Sequence, residues 1–373
     1  MLTALSGCDS LYKKEFLSVT EYSGSTGDNV SDISQITGYF ELKDAILSMV
    51  NSHKTEGRLT FSDYGGSLQS DLAKACTEVK AEYAVASYAV NYMSYDISRI
   101  ATYYEATFYI TYKHTQSELA AVRYVSCESE LVRALGTTLD GMSADITVSV
   151  TSGEALTAKV ITRAVNRAYE ADPASCVVQP NATVAIYPEN ELNRIIDIKL
   201  AYGWKQSELK KMKSTLKEKI EDISGKYSGN TDSIYALNAF SALTEECIYD
   251  PSGLGRDKTE LNSGLGSTAY GALSEGYADS KGMALAFSAL CHVKGIECYV
   301  VNGTMDNLNH SWNIVKLEGS YYHIDASAKA TLGIANAFMK NDSQMQSRYK
   351  WNVADYPVCG GVKTYSDILV LVS

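Results

Sequence analysis

The 373-residue chain exceeds one ordinary core and has room for two or three units of ~100–200 residues. Its composition, 45% hydrophobic and 21% charged, is that of a folded protein. A formal charge of -11, with 33 scattered basic residues, argues against a nucleic-acid surface, since phosphate binding needs a dense Lys/Arg face. Peptides, proteins, small molecules or cell-wall glycans are the partners this leaves. The 27 tyrosines read as strand fillers, with sugar- or peptide-stacking surfaces as the alternative.

Leu5-Ser-Gly-Cys8 resembles the bacterial lipobox, the apolar-small-small-Cys word that precedes a lipidated cysteine. Cys8 is then the first mature residue, and the protein is expected on the outer face of a bacterial membrane, lipid-anchored or secreted. Too few residues precede Cys8 for a complete signal, so the start reads as the end of one, a chance match in a cytosolic protein being the alternative. Residues 1–36 are this remnant plus a tether, because Ser23 to Ser34 is rich in Gly, Ser, Asp and Thr. No later run of ~18 apolar residues occurs, so the membrane is touched only through Cys8. No cysteine lies in a CxxC pair and no Cys/His cluster has zinc spacing, so neither a metal nor another cofactor is expected. With Cys8 set aside seven cysteines remain, an odd number that reads as buried free thiols.

Two α/β lobes in tandem follow, 37–126 and 127–226. Tyr112-Lys-His-Thr-Gln-Ser-Glu-Leu119 matches Tyr202-Gly-Trp-Lys-Gln-Ser-Glu-Leu209 at an offset of 90, and Glu41-Leu42 and Glu130-Leu131 open the two units at an offset of 89. Periodicity predicts in each an amphipathic helix (about 40–52; about 129–141), a strand (58–62; 144–150) and a second helix (about 67–82; about 154–169). Strands ending at Tyr112 and Leu200 close them. His53 and His114 have no sequence partner there and read as core or surface residues. A charged connector helix, Gln206 to Ile223, ends the second lobe, and the Gly/Ser-rich loop Ser224 to Thr231 marks a boundary.

The remaining segment, 227–373, carries the chemistry-bearing words. A helix over Ile234–Leu243 leads to Tyr270-Gly-Ala-Leu-Ser-Glu-Gly276, then to Asp279-Ser-Lys-Gly-Met-Ala-Leu-Ala-Phe287. Strand words follow: Gly295-Ile-Glu-Cys-Tyr-Val-Val301, His310-Ser-Trp-Asn313 and Tyr321-Tyr-His-Ile-Asp325. In their order and spacing these words resemble the transglutaminase-like core of the papain-like superfamily, over about a third of the chain, residues 232–360. The resemblance implies an α+β fold, a helix packed on an antiparallel sheet, and a Cys-His-Asp triad. His310 and Asp325 take the last two places. The family's aromatic residue shortly after the Asp is missing, with Ala326-Ser-Ala-Lys329 in its stead.

At the nucleophile position stands a serine. Ser280 lies 15 residues before Gly295, the family's usual separation; Ser274 lies 21 before it and would need an insertion in the helix. Cys291 is about three turns into the same helix and faces the core. Ser280, His310 and Asp325 are therefore the candidate catalytic residues. His323, on the opposite face of its strand from Tyr322, reads as structural, and Tyr270 is placed near the cleft.

A helix N-terminus and an imidazole stabilise a thiolate, but a hydroxyl is too weak an acid for a resting ion pair and must wait for general-base transfer. Three readings follow. The first is an impaired transglutaminase-like module that binds a peptide, protein or wall glycan, as a monomer; the second is a hydrolase or acyltransferase using Ser280-His310-Asp325. The third is a serine introduced into a cysteine enzyme. A separate possibility gives ligand binding to the N-terminal lobes. For the anchor, metabolic labelling with a lipid precursor in a host carrying the native signal is expected to mark the protein, and Cys8→Ala to abolish the label. Label that survives the substitution would contradict it.

Overall fold

The computed structural model describes residues 34–151, 156–227, 231–252 and 264–372. Cys8 and the tether before Ser34 lie outside them. The fold is α+β. None of the described helices is long and apolar enough to cross a membrane.

The chain begins with β1 (Ser34–Gln35), α1 (Tyr39–Asn51), β2 (Glu56–Phe61), α2 (Leu68–Glu82) and α3 (Ala84–Ala89), then β3 (Val90–Ile100), β4 (Tyr103–Tyr112) and the short α4 (Gln116–Ala120). Next come β5 (Arg123–Val125), α5 (Glu128–Asp140), β6 (Asp145–Thr151), α6 (Ala158–Ala171), β7 (Asn181–Tyr187), β8 (Asn193–Ala201) and α7 (Gln206–Lys226). The two sheets have the same strand order, β1-β2-β4-β3 and β5-β6-β8-β7, and each opens on a parallel pair. The matching octapeptides fall at equivalent points, where a strand ends and a helix starts at Gln116 or Gln206. In both, a glutamate three residues after the start of the turn accepts the N–H of the residue before the helix: Glu118 from Thr115 at 2.7 Å, Glu208 from Lys205 at 3.0 Å.

By packing, the chain forms two compact units. The first takes residues 34–127, 147–151 and 184–197 of those described; the second takes 128–146, 156–183 and the described residues from 198 on. In the first, α1 and α2 cover one face of the sheet with Leu42, Ile46, Leu72 and Val79 against Leu59, Phe61, Phe108 and Ile110. His53 stacks on Tyr112 at 3.8 Å and its Nε2 meets the His114 carbonyl at 2.9 Å, while His114 stacks on Tyr88. Both histidines thus serve packing.

The second unit is organised around one helix. α8 (Asp232–Glu246) leads into β9 (Ile248–Tyr249), which pairs in parallel with β10 (Tyr277–Ala278), and β10 runs directly into α9 (Ser280–His292). Three antiparallel strands follow, β11 (Cys298–Met305), β12 (Leu308–Leu317) and β13 (Ser320–Ile324). The words of this segment anticipate those three strands but not a fourth. Beyond the short helices α10 (Lys329–Leu332), α11 (Ile334–Ala337) and α12 (Asp342–Met345), β14 (Tyr349–Lys350) pairs with the free edge of β11, and the sheet order is β13-β12-β11-β14.

The sequence pattern of α9 suggests one core-facing stripe, but every residue from Gly282 to Cys291 is buried. β11 and β12 pack on one side and α7 and α8 on others, so apolar residues all round are what the helix needs. Each fully buried Leu or Phe, among them Leu285, Phe287 and Leu290, contributes roughly 1.5–3 kcal/mol. Small residues let neighbours come close, and Gly282 is the limiting case: a Cβ there would stand 2.3 Å from the Gly266 carbonyl oxygen and 3.0 Å from that of Thr268. Gly282→Ala is therefore expected to destabilise by about 1–3 kcal/mol despite alanine's better helix propensity, because backbone must move. Urea unfolding followed by tryptophan fluorescence measures this; an unchanged or raised midpoint would contradict it.

Candidate active site

The N-terminus of α9 is held by its cap. Asp279 accepts the Gly282 N–H at 2.9 Å on one carboxylate oxygen and the Ser267 hydroxyl on the other. Its own N–H donates to the Gly266 carbonyl at 3.0 Å. Ser280 is thereby fixed as the first helical residue, at the positive end of the helix dipole. Lys281 is out of place beside that end. Its ammonium pairs with Glu170 of α6 and donates to Asn302 Oδ1 at 2.8 Å, and Asn302 in turn accepts from the Ser311 hydroxyl at 3.1 Å.

β12 supplies the next residues, and its alternation separates them. Asn313 faces α9, where its Nδ2 donates to the Ala284 carbonyl at 2.9 Å and to the Tyr299 carbonyl at 3.3 Å. The asparagine of the His-x-Trp-Asn word is thus a clamp between strand and helix. His310 and Trp312 lie on the other face by period two. At this edge Ser280 Oγ accepts the Ser311 N–H at 3.2 Å.

His310 Nε2 donates to Asp325 Oδ2 at 2.7 Å, as expected for adjacent antiparallel strands. An ionised carboxylate only accepts, so the proton of the neutral ring sits on Nε2 and the lone pair of that form on Nδ1. Among the described residues, neither Ser280 nor any other group makes a hydrogen bond to His310 Nδ1.

Asp325 is 2% exposed. Burial pushes its carboxyl up, but hydrogen bonds from His310, Ser327 and Tyr349 outweigh burial and hold it below the ordinary range. Oδ1 accepts the Ser327 hydroxyl at 2.7 Å and the Ala328 N–H at 3.1 Å, and Oδ2 accepts the Tyr349 hydroxyl at 2.8 Å as well as His310. Ser327 and Tyr349 escaped the sequence reading. Ser327 stands in a turn that matches no motif word, and Tyr349 comes from a two-residue strand with no periodicity to mark it.

The structure thus brings Ser280, His310 and Asp325 to one edge of the sheet. Ser274 sits in the single turn Gly271–Glu275, and its Oγ has no partner among the described residues. Cys291 is fully buried and burial pushes its thiol up; burial likewise pushes the thiols of Cys76, Cys176 and Cys247 up, to about 12. Tyr270, placed near the cleft by sequence, packs against a cluster that includes Met142, Leu209, Met212 and Leu265. That cluster absorbs its ring.

No family model matches the chain, and no curated protein matches it. Among solved structures it is similar to a TGase, at 12% identity and a TM-score of 0.29 over 58% of this chain and 57% of that one. It is also similar to a protein from Cytophaga hutchinsonii provisionally named a cysteine protease, at 13% identity and a TM-score of 0.26 over 48% and 69% of the two chains. A third is provisionally named a protease, from Parabacteroides distasonis, at 8% identity and a TM-score of 0.24 over 77% and 63%. The chain thus spans little more than half the length of the first.

Tyr349→Phe tests the buried carboxylate. With its pKa depressed, Asp325 contributes stability that is present above the ordinary carboxylate value of 3.8 and lost as pH falls below it. Removing one donor is expected to cost about 1–3 kcal/mol at neutral pH. The gap to the parent narrows below pH 3.8, where Asp325 takes up its proton. Denaturant unfolding across this pH range measures it, and a gap that does not depend on pH would contradict it.

Proposed function

We propose that residues 232–360 are a transglutaminase-like module of the papain-like superfamily, carried by a lipid-anchored bacterial surface protein, with Ser280 in the place of the nucleophilic cysteine. Acyl transfer is impaired, and the module binds a peptide, protein or cell-wall glycan without turning it over. The observation that carries this reading is the position of the Ser280 hydroxyl: it accepts from the Ser311 amide and forms no hydrogen bond with His310. A thiol at the helix N-terminus would lose its proton to a nearby imidazole, with the helix field stabilising the thiolate. A hydroxyl needs direct transfer to a base as it attacks, and losing that contact is enough to raise the barrier by several kcal/mol.

A second reading, a serine hydrolase or acyltransferase acting on peptide or amide bonds, is favoured by one observation. The His310–Asp325 pair holds the tautomer such an enzyme requires, with Nδ1 unoccupied. In that case Ser280 Oγ gives its proton to His310 Nδ1 while bonding to the acyl carbon, and the imidazolium returns that proton to the departing amine.

A fluorophosphonate probe separates the two. The parent protein is expected to remain unlabelled, while Ser280→Cys gains rapid alkylation by iodoacetamide and measurable amide hydrolysis. Stoichiometric labelling of the parent that Ser280→Ala removes would overturn impairment in favour of the second reading.

A further inference from the structure

His323 is fully buried, and its tautomer is fixed by its partners. Trp312 Nε1 donates to His323 Nδ1 at 2.9 Å, and an indole nitrogen can only donate. Nδ1 is therefore a lone pair, the proton sits on Nε2, and Nε2 donates to Asp342 Oδ1 at 2.8 Å. Asp342 Oδ2 is anchored by the Cys359 N–H at 3.1 Å. Burial lowers the pKa of His323, against the pull of Asp342, which favours the neutral ring.

His323, Asp342 and Cys359 bring potential metal-ligand atoms within 4.8 Å of one another. They do not fit a metal. The nitrogen that faces Asp342 carries the proton, the lone pair faces Trp312, and burial pushes the Cys359 thiol up.

What His323 does grip is the indole beside the candidate triad. The Trp312 ring is 1% exposed and lies 26° from the plane of His310, with centroids 6.3 Å apart. It meets Tyr349 edge-on at 5.1 Å, and Tyr349 donates to Asp325. Trp351 stands edge-on to both Trp312 and His323, at 5.9 and 4.8 Å. One aromatic block thus joins His323 to both His310 and Asp325. To that packing, a directional hydrogen bond at the single indole N–H adds a restraint on the rotation of the ring.

We propose that His323 is a positioning residue: by accepting the Trp312 N–H it locks the indole that walls His310, and so sets where the His310 lone pair points relative to residue 280. The proposal rests on reading Ser280-His310-Asp325 as an acyl-transfer-type site.

The test uses the full chain with Ser280→Cys, whose alkylation by iodoacetamide, read by mass spectrometry on the peptide that carries residue 280 from about pH 5 to about pH 9, reports the thiolate at that position. Asn and Gln divide the two ring nitrogens between them: Asn places an acceptor near Nδ1, Gln keeps a donor near Nε2. Added to this background, His323→Gln is expected to slow alkylation at pH 6 about tenfold and to move the profile to higher pH, whereas His323→Asn stays within about twofold of Ser280→Cys alone. Trp312→Phe, which keeps a ring but has no N–H, behaves like His323→Gln and carries the test if that variant does not fold.

If His323→Gln and Trp312→Phe both match Ser280→Cys alone while His310→Ala slows it, the proposal is overturned and the site reading stands. Equal losses in His323→Gln and His323→Asn also overturn it. Alkylation of the Ser280→Cys protein that is indifferent to His310→Ala overturns the site reading, and the proposal with it.

Discussion

The second unit depends on burying one carboxylate. Desolvating an ionised Asp325 without partners would cost several kcal/mol, so the chain around it is arranged to supply four donors from three places. His310 comes from β12, Ser327 and Ala328 from the turn that ends β13, and Tyr349 from β14 across the sheet. Removing any one leaves a buried acceptor short of a donor. This constraint explains why two residues with no sequence signature, Ser327 and Tyr349, are nonetheless central. It also fixes the His310 tautomer, because a carboxylate on Nε2 leaves Nδ1 bare.

A second constraint sets where residue 280 falls. Asp279 caps α9 and Asn313 ties the body of the helix to β12, so Ser280 arrives at the strand edge beside the Ser311 amide. Gly282 permits the close approach of the 266–268 backbone that this placement needs. The scaffold is therefore specified independently of what residue 280 carries. A thiol would be activated there by the helix field together with the imidazole, whereas the hydroxyl accepts from an amide and makes no hydrogen bond to His310 among the described residues. The difference between the readings of this site lies in one atom and one proton.

Much of the site was legible because its words are local. A capped helix start, His310-Ser-Trp-Asn313 and Tyr321-Tyr-His-Ile-Asp325 each fit within one element, and alternation along paired strands brings His310 to Asp325. The octapeptide pair likewise marked equivalent strand-to-helix turns in the two sheets. What was not legible is non-local or too short to have a period: β9 and β10, β14 with Tyr349, and the turn carrying Ser327. The all-round burial of α9 was also missed, since a sequence pattern cannot count how many neighbours a helix will have. His323 was read as structural from its strand face alone; its bonds to Trp312 and Asp342 depend on side-chain directions that alternation does not give.

The central claim is that Asp325 holds His310 with the proton on Nε2 and a free lone pair on Nδ1, beside a serine that does not engage it. Long-range proton–nitrogen NMR on protein with ¹⁵N-labelled histidine observes the tautomer directly, with His310→Ala assigning the signal. The neutral ring of His310 is predicted to be the Nε2–H form, and Asp325→Asn to disturb that preference while Ser280→Ala leaves it unchanged. A neutral His310 protonated on Nδ1, or a tautomer that changes when Ser280 is removed, would contradict the account.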